Sequence, residues 1–293
     1  MATVLLQLFV DGLGMGLIYS LLALGLVLIM SIPKIFFIAY GEFYKLGAFV
    51  LWGAIILLKL PFFASLCLAI LATTVLGMIC YRVVFQQMQY AEDTFLSFLV
   101  ASIGLMMMIG QAMLLVFGTE RRGVPQVFHG VVNVGVVRIS VEKLVLIGLA
   151  LIVTLGLYVL LQKTNLGRAM RAVSFRADIA ILQGVNPNKI YISAMAAGCA
   201  IAGFAGGVMA PVFAISQEMN NIILPVLLVV MLGGMGSLVG AVVGGLILGT
   251  TMAFGYCFIG SGIAQMILFI IIGIIVFIRP EGLFGKSEEY IGI

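Results

Sequence analysis

Long apolar runs, broken by short polar stretches, set the pattern of the chain. They predict membrane spans at Leu5–Met30, Tyr44–Leu58, Phe62–Val84, Phe95–Phe117, Lys143–Leu161, Lys189–Ala214 and Tyr256–Ile278. A helix needs about 20 residues to cross a ~30 Å hydrocarbon core. Backbone in lipid must satisfy its own hydrogen bonds, so continuous runs of this kind are helices. A membrane barrel would show short alternating segments instead. The segment 31–43 is too apolar for an ordinary loop and is expected to lie partly in the membrane.

The stretch Ile222–Ala253 departs from the pattern. As one helix it would be about 48 Å long, too long for one crossing and too short for two. A pair of short or re-entrant helices resolves this, with the break at Gly233-Gly234-Met235-Gly236-Ser237. Irregular backbone at membrane depth is tolerated only where it is buried in protein or lines a wet cavity. Broken helices therefore point to a transport pathway. The expected fold is an all-α polytopic membrane protein, a single transmembrane domain over 1–293 with seven to nine membrane helices, including this glycine-rich pair.

Composition agrees. The 293 residues are 63% hydrophobic and 9% charged, against about 25% charged in a soluble domain. Glycine, at 36 residues, is common where membrane helices approach closely. Small residues recur at four-residue spacing at Gly236, Gly240 and Gly244, at Gly245 and Gly249, at Gly12 and Gly16, and at Gly198, Ala202 and Gly206. Two readings fit these faces: packing within the chain, or packing around a pathway or a second subunit. No Lys/Arg-rich tract with interleaved aromatics supports nucleic-acid binding. A cleavable leader needs a basic n-region, and the first Lys or Arg is Lys34, so the first run reads as a retained helix.

Basic residues set the expected orientation. The segment 162–187 carries Lys163, Arg168, Arg171 and Arg176 against Asp178, which places it in the cytoplasm with the tail (Arg279, Lys286). The N-terminus and 118–142 then lie outside, although Arg121, Arg122 and Arg138 sit in that outer loop. Arg168 and Arg171 share a helical face. Ala172, Ile179, Ala180 and Leu182 supply an apolar side to a short helix that Gly184 ends, and Asn186-Pro187 opens the next span. Such a helix suits partner docking, or equally a plain basic loop at the lipid headgroups.

Catalytic chemistry has little to stand on. His129, the one histidine, has no second metal ligand nearby. Cys67, Cys80, Cys199 and Cys257 are scattered, with no CxxC, and read as buried small hydrophobes. No span holds a nucleophile with a base. Gly285-Lys286-Ser287 ends like a phosphate-binding loop, but Pro280 stands where the pattern requires glycine. Neither an enzyme nor a nucleotide site is expected in this chain. Glu42, an acid within a membrane segment, should face a partner or water, and Lys45 is placed to pair with it. The pathway candidates are Tyr19, Tyr40, Glu42, Ser97, Ser102, Gln111, Gly233, Gly234, Gly236 and Ser237. Ser97, Ser102 and Gln111 could equally bond neighbouring helices.

Four stretches carry a resemblance over nearly the whole chain: Gly16–Leu26; Gly167-Arg168-Ala169-Met170-Arg171-Ala172 with Ala180, Gly184, Val185 and Asn186; Gly233–Gly245; and Arg279–Gly285. The chain resembles the membrane permeases of branched-chain amino acid ABC importers. The resemblance implies one of two membrane subunits, the other a homologous, different chain. It also implies two cytoplasmic ATPases that bind ATP and Mg, an outside solute-binding protein and a bacterial inner-membrane location. It implies alternating access, with Gly167, Arg168, Arg171, Ala172, Arg176, Asp178 and Gly184 in the segment that docks an ATPase. Where the family usually shows Asn-Phe-Ala-His-Gly-Glu, this chain has Phe37-Ile38-Ala39-Tyr40-Gly41-Glu42, and Lys45 takes a usually apolar position. These departures bear on the solute, since related permeases carry urea, short amides or aromatic acids. The competing function is an ion- or proton-coupled secondary transporter working without an ATPase.

Overall fold

A computed structural model describes residues 2–89, 93–125, 130–134, 137–234, 236–278 and 282. The helices in chain order are α1 (Ala2–Ser31), α2 (Tyr40–Ile56), α3 (Phe62–Cys80), the short α4 (Gln86–Met88), α5 (Thr94–Phe117), α6 (Val141–Lys163), α7 (Asn165–Phe175), α8 (Ala177–Leu182), α9 (Pro187–Met209), α10 (Ile223–Gly233), α11 (Leu238–Phe258) and α12 (Ser261–Ile278). A π-helical turn, Tyr81–Phe85, joins α3 to α4, and a 3₁₀ turn, Gln217–Ile222, leads into α10. Among the described residues six helices are long and apolar enough to cross a membrane. The protein is a multi-pass, all-α membrane protein. Its outer faces carry exposed Leu71, Val100, Met107 and Leu115, as lipid rather than water requires.

Several boundaries differ from the sequence reading. The second span starts at Tyr40 rather than Tyr44, so Glu42 lies in a first helical turn. The final span does not begin at Tyr256: α11 continues to Phe258, and the chain turns at Gly260, whose φ is +94°. The expected outer loop contains a short hairpin, β1 (Val131–Val134) against β2 (Val137–Ser140), with Val132 opposite Ile139. Cys80 and Cys199 are buried as expected, but Cys67 and Cys257 are exposed, on apolar helices whose outer faces suit lipid. His129 and the tail residues Arg279, Pro280, Glu281 and Lys286 lie outside the described residues.

The chain divides into two compact units. The larger, Leu28–Ile223, is built on α9. A Cβ added to Gly203 would lie 2.8 Å from Cβ of Thr73 on α3, and one added to Gly47 of α2 would lie 2.6 Å from the Gly203 Cα. The predicted small-residue face follows the same rule, with Gly206 against the Tyr44 backbone. Without a hydrophobic drive between helices in lipid, contact this close is what supplies packing energy.

The smaller unit comprises Met1–Val27 and Leu224–Ile293. Here α1 and α11 run antiparallel. Gly12 meets Thr250, Gly16 meets Leu246, and a Cβ on Gly245 would fall 2.6 Å from the Ser20 Cα. The Ser20 hydroxyl donates to the Gly16 carbonyl at 2.7 Å and to the Val242 carbonyl of α11 at 2.8 Å. The predicted break occurs where expected. α10 is only 11 residues, about 16 Å, and α11 folds back on it with Gly240 against Gly233 and Gly244 against Val229. The reversal requires φ of +94° at Gly234 and +105° at Gly236, conformations open to glycine. The Ser237 hydroxyl then accepts from the Gly240 N–H at 3.0 Å and caps α11. Gly282 sits on this turn, its φ +78°, where a Cβ would lie 2.5 Å from the Gly234 nitrogen. Two of the predicted small-residue faces are thus the two sides of one contact within the chain.

Gly245→Leu should therefore lower stability by roughly 1–3 kcal/mol or more through overpacking. Gly104→Ala, where an added Cβ meets nothing within 4 Å, should leave stability nearly unchanged. Thermal unfolding in detergent compares the two.

Candidate functional site

The larger unit buries a charged cluster at the start of α2. Glu42 and Lys45 are 1% and 2% exposed and stand one turn apart. Lys45 Nζ lies 2.6 Å from Glu42 Oε2. Asn220 Nδ2, on the 3₁₀ turn, donates to the other carboxylate oxygen, Oε1, at 2.7 Å. Gly110 of α5 lies flat against the carboxylate, since a Cβ there would be 3.3 Å from Oε1. Burying an ion in a low dielectric is costly unless it is paired and hydrogen-bonded. Here Oε1 has the Asn220 hydrogen bond, and Oε2 has the Lys45 ammonium as its ion-pair partner without a hydrogen bond of its own among the described residues.

The surroundings fix that geometry. Gly41 meets the Asn220 backbone, where a Cβ would be 2.5 Å from its carbonyl oxygen. The Ala39 N–H donates to Ser102 Oγ at 3.2 Å, so α5 secures the helix start where no α2 side chain caps it. Phe37 is fully buried with ring centroids 5.5 Å from Phe43 and 5.7 Å from Phe85. Tyr40 is also buried, and its hydroxyl has no hydrogen-bond partner among the described residues. At the two positions where the resemblance expects Asn and His, this chain thus buries the aromatic rings of Phe37 and Tyr40.

The pathway candidates divide between the two units. Tyr40, Glu42 and Ser102 come together in the larger one. Ser97 is half-buried and Gln111 is exposed on the same α5, and neither joins the charged cluster. Tyr19, Gly233, Gly234, Gly236 and Ser237 belong to the smaller unit. Tyr19, Gly233 and Gly234 are buried, Ser237 is half-buried and Gly236 is exposed. Met235 lies outside the described residues. The sequence reading missed Asn220 and Gly110. The polar pair Asn220-Asn221 between apolar runs was the available signal for the first. Gly110 carried none.

The basic segment folds as two helices rather than one, parted at Arg176, whose backbone is extended (φ −151°, ψ 108°). The Thr164 hydroxyl accepts from the Gly167 N–H at 3.1 Å and caps α7. Gly167 packs on the last turn of α6, where a Cβ would lie 2.6 Å from the Leu161 carbonyl carbon. Arg171 donates to the Leu161 carbonyl, one of the carbonyls a helix C-terminus leaves without partners. Arg168 donates to Asn165. The Ser174 hydroxyl donates to the Ser31 carbonyl at 2.7 Å, tying α7 to the end of α1. Ala172 is half-buried, and Arg176 and Asp178 are exposed. Gly184 ends the segment with φ +80°, and Asn186 caps α9 with Pro187 following. Ala180 is buried, but Phe175 and Leu182 are 82% and 87% exposed, with Ile179 and Ile181 also open. The segment presents a bare apolar surface among basic residues.

Residues 8–278 match the family described as branched-chain amino acid transport system / permease component. The chain belongs to that family. Among its relatives is the high-affinity branched-chain amino acid transport system permease protein BraD of Pseudomonas aeruginosa, 26% identical, the alignment covering 97% of this chain and 96% of that protein. The LivH permease proteins of the corresponding systems in Salmonella typhimurium and Escherichia coli K12 are 24% identical, with the same coverage. No solved structure matches. An ionisable residue within a membrane segment needs a neutralising partner, which Lys45 supplies to Glu42.

Lys45→Met should cost this permease about 3–5 kcal/mol by leaving a buried carboxylate without its cation. Glu42→Leu combined with Lys45→Met should recover most of that loss. Unfolding of the single and double variants, measured in detergent, gives the comparison.

Proposed function

We propose that this chain is the membrane permease subunit of an ATP-driven importer for branched-chain amino acids or a related small polar solute. The observation that carries the reading is the exposed apolar and basic face of α7 and α8. This face would serve as the docking surface, and it is attached directly to α6, α9 and the end of α1. Two cytoplasmic ATPases would bind ATP and Mg. One of them would hold Phe175, Leu182, Arg168, Arg176 and Asp178. Arg171 and Gly167 act within the chain and join α7 rigidly to α6. The remaining partners are a second, homologous permease and an outside solute-binding protein, at the bacterial inner membrane.

The mechanism is alternating access. Closure of the ATPases moves α7 and α8, and the attached spans open the pathway to one side and then the other. Tyr40, Glu42 and Ser102 in the larger unit, and the α10–α11 break in the smaller, are the proposed pathway elements. The orientation follows the positive-inside rule, with α7 and α8 in the cytoplasm and the segments 118–140 and 210–222 outside.

The buried Glu42 favours a second reading, an ion- or proton-coupled transporter working alone. Against it stands Lys45, which already neutralises Glu42 at 2.6 Å.

Affinity purification of the tagged chain in mild detergent separates the two readings. The importer reading expects an ATPase and a second permease to copurify. Phe175→Asp with Leu182→Asp should cut ATPase recovery about ten-fold, as loss of apolar anchors at an interface does, and leave the permease pair intact. Full ATPase recovery by that variant would contradict the docking assignment. A lone homo-oligomer competent for uptake would favour the second reading.

A further inference from the structure

The segment between α9 and α10 is held at both ends and partly exposed between them, with Gly41 of α2 against the Asn220 backbone. At one end Arg122 and Ile215 form an isolated antiparallel pair, N–H to carbonyl at 2.9 Å in one direction and 2.7 Å in the other. Arg122 is itself fixed, donating to the Phe117 carbonyl at 2.7 Å and stacking 4.1 Å from the Trp52 ring centroid. Next along, Gln217 Nε2 donates to the Gly118 carbonyl at 2.8 Å. At the other end Asn220 reaches inward to Glu42. Ile215 and Ile223 are buried, while every residue between them is at least partly exposed. The Arg121–Glu218 pair at 3.7 Å is open to solvent and adds little. A short 3₁₀ turn held by a few exchangeable hydrogen bonds is a weak element.

Charge makes the inner attachment releasable. When Asn220 leaves, Glu42 loses that hydrogen bond but keeps its ion pair with Lys45, so the buried carboxylate is not left without its cation. A neutral amide is the partner that can depart, and the cation is the one that stays.

We infer that Ile215–Ile222 is a strap that closes the extracytoplasmic side of the larger unit and lifts during transport, with Asn220 as its positioning residue and the 118–122 segment as its anchor. The strap is the last stretch of the larger unit before the chain passes, at Leu224, into the smaller. A partner that engages 118–122 from outside therefore acts on the strap directly. The inference rests on the transport reading and orientation proposed above.

Two measurements test it, on the intact assembly with Cys67 and Cys257 replaced by alanine. In the first, Arg122→Cys and Ile215→Cys are cross-linked. Paired residues of this kind have Cα atoms about 5.5 Å apart, inside the disulfide range. Oxidation should lower uptake about ten-fold, as locking a gate does, and reductant should restore it. Uptake that persists when cross-linking is near complete overturns the strap. In the second, Ile215→Cys alone is exposed to a membrane-impermeant thiol reagent. Its labelling should be slow at rest and rise about ten-fold during uptake, as opening of a gating segment requires. Labelling that stays slow during uptake overturns the strap even if the double variant folds poorly. A lock that blocks uptake needing no ATPase would leave the strap standing and refute the ATP-driven reading instead.

Discussion

Close approach of helix backbones is the constraint on which the molecule depends. Lipid offers no hydrophobic reward for bringing helices together, so packing must come from contact itself. Gly203 lets α9 lie against both α2 and α3, and Gly245 and Gly249 let α11 lie against α1. Larger side chains there would push those helices apart. The charged cluster inherits the same requirement, because Gly41 and Gly110 bring backbone up to Asn220 and Glu42 without filling the space those polar groups occupy.

From that packing come two features with opposite electrostatic character. The Glu42–Lys45–Asn220 cluster puts charge inside the protein and satisfies it locally. The α7–α8 segment puts apolar side chains outside and leaves them uncovered. The first is the expected condition of an ionisable group in a membrane bundle. The second fits the docking role proposed for it. Between them runs a continuous chain of contact: α7 to the Ser31 carbonyl through Ser174, then residues 32–39, then Ala39 on Ser102, and then Glu42.

Much of this was legible in the sequence because membrane helices announce themselves by length and apolarity. The break at Gly233–Ser237 could be located from arithmetic on helix length, and Gly184 and Asn186-Pro187 marked their turns by residue chemistry. The ends of α2 and α11 were less legible. Tyr256–Phe258 is apolar on both sides of the α11 boundary, so hydropathy contains no edge there, and at the start of α2 the charged Glu42 lies inside the helix rather than marking its edge. The Glu42–Lys45 pair followed from i, i+3 spacing. Asn220 did not, because it lies 178 residues from Glu42 and nothing local marks its partner. The division of α7 from α8 was hidden for a similar reason, since Arg176 turns extended without glycine or proline.

Uptake of radiolabelled leucine into proteoliposomes tests the central claim most directly. The vesicles would hold the purified assembly with its binding protein outside, and ATP would be either enclosed or omitted. Accumulation against a gradient only with enclosed ATP, abolished by a hydrolysis-inactive ATPase partner, is the predicted result. Accumulation without ATP, driven by an imposed ion or proton gradient through this chain alone, would contradict it.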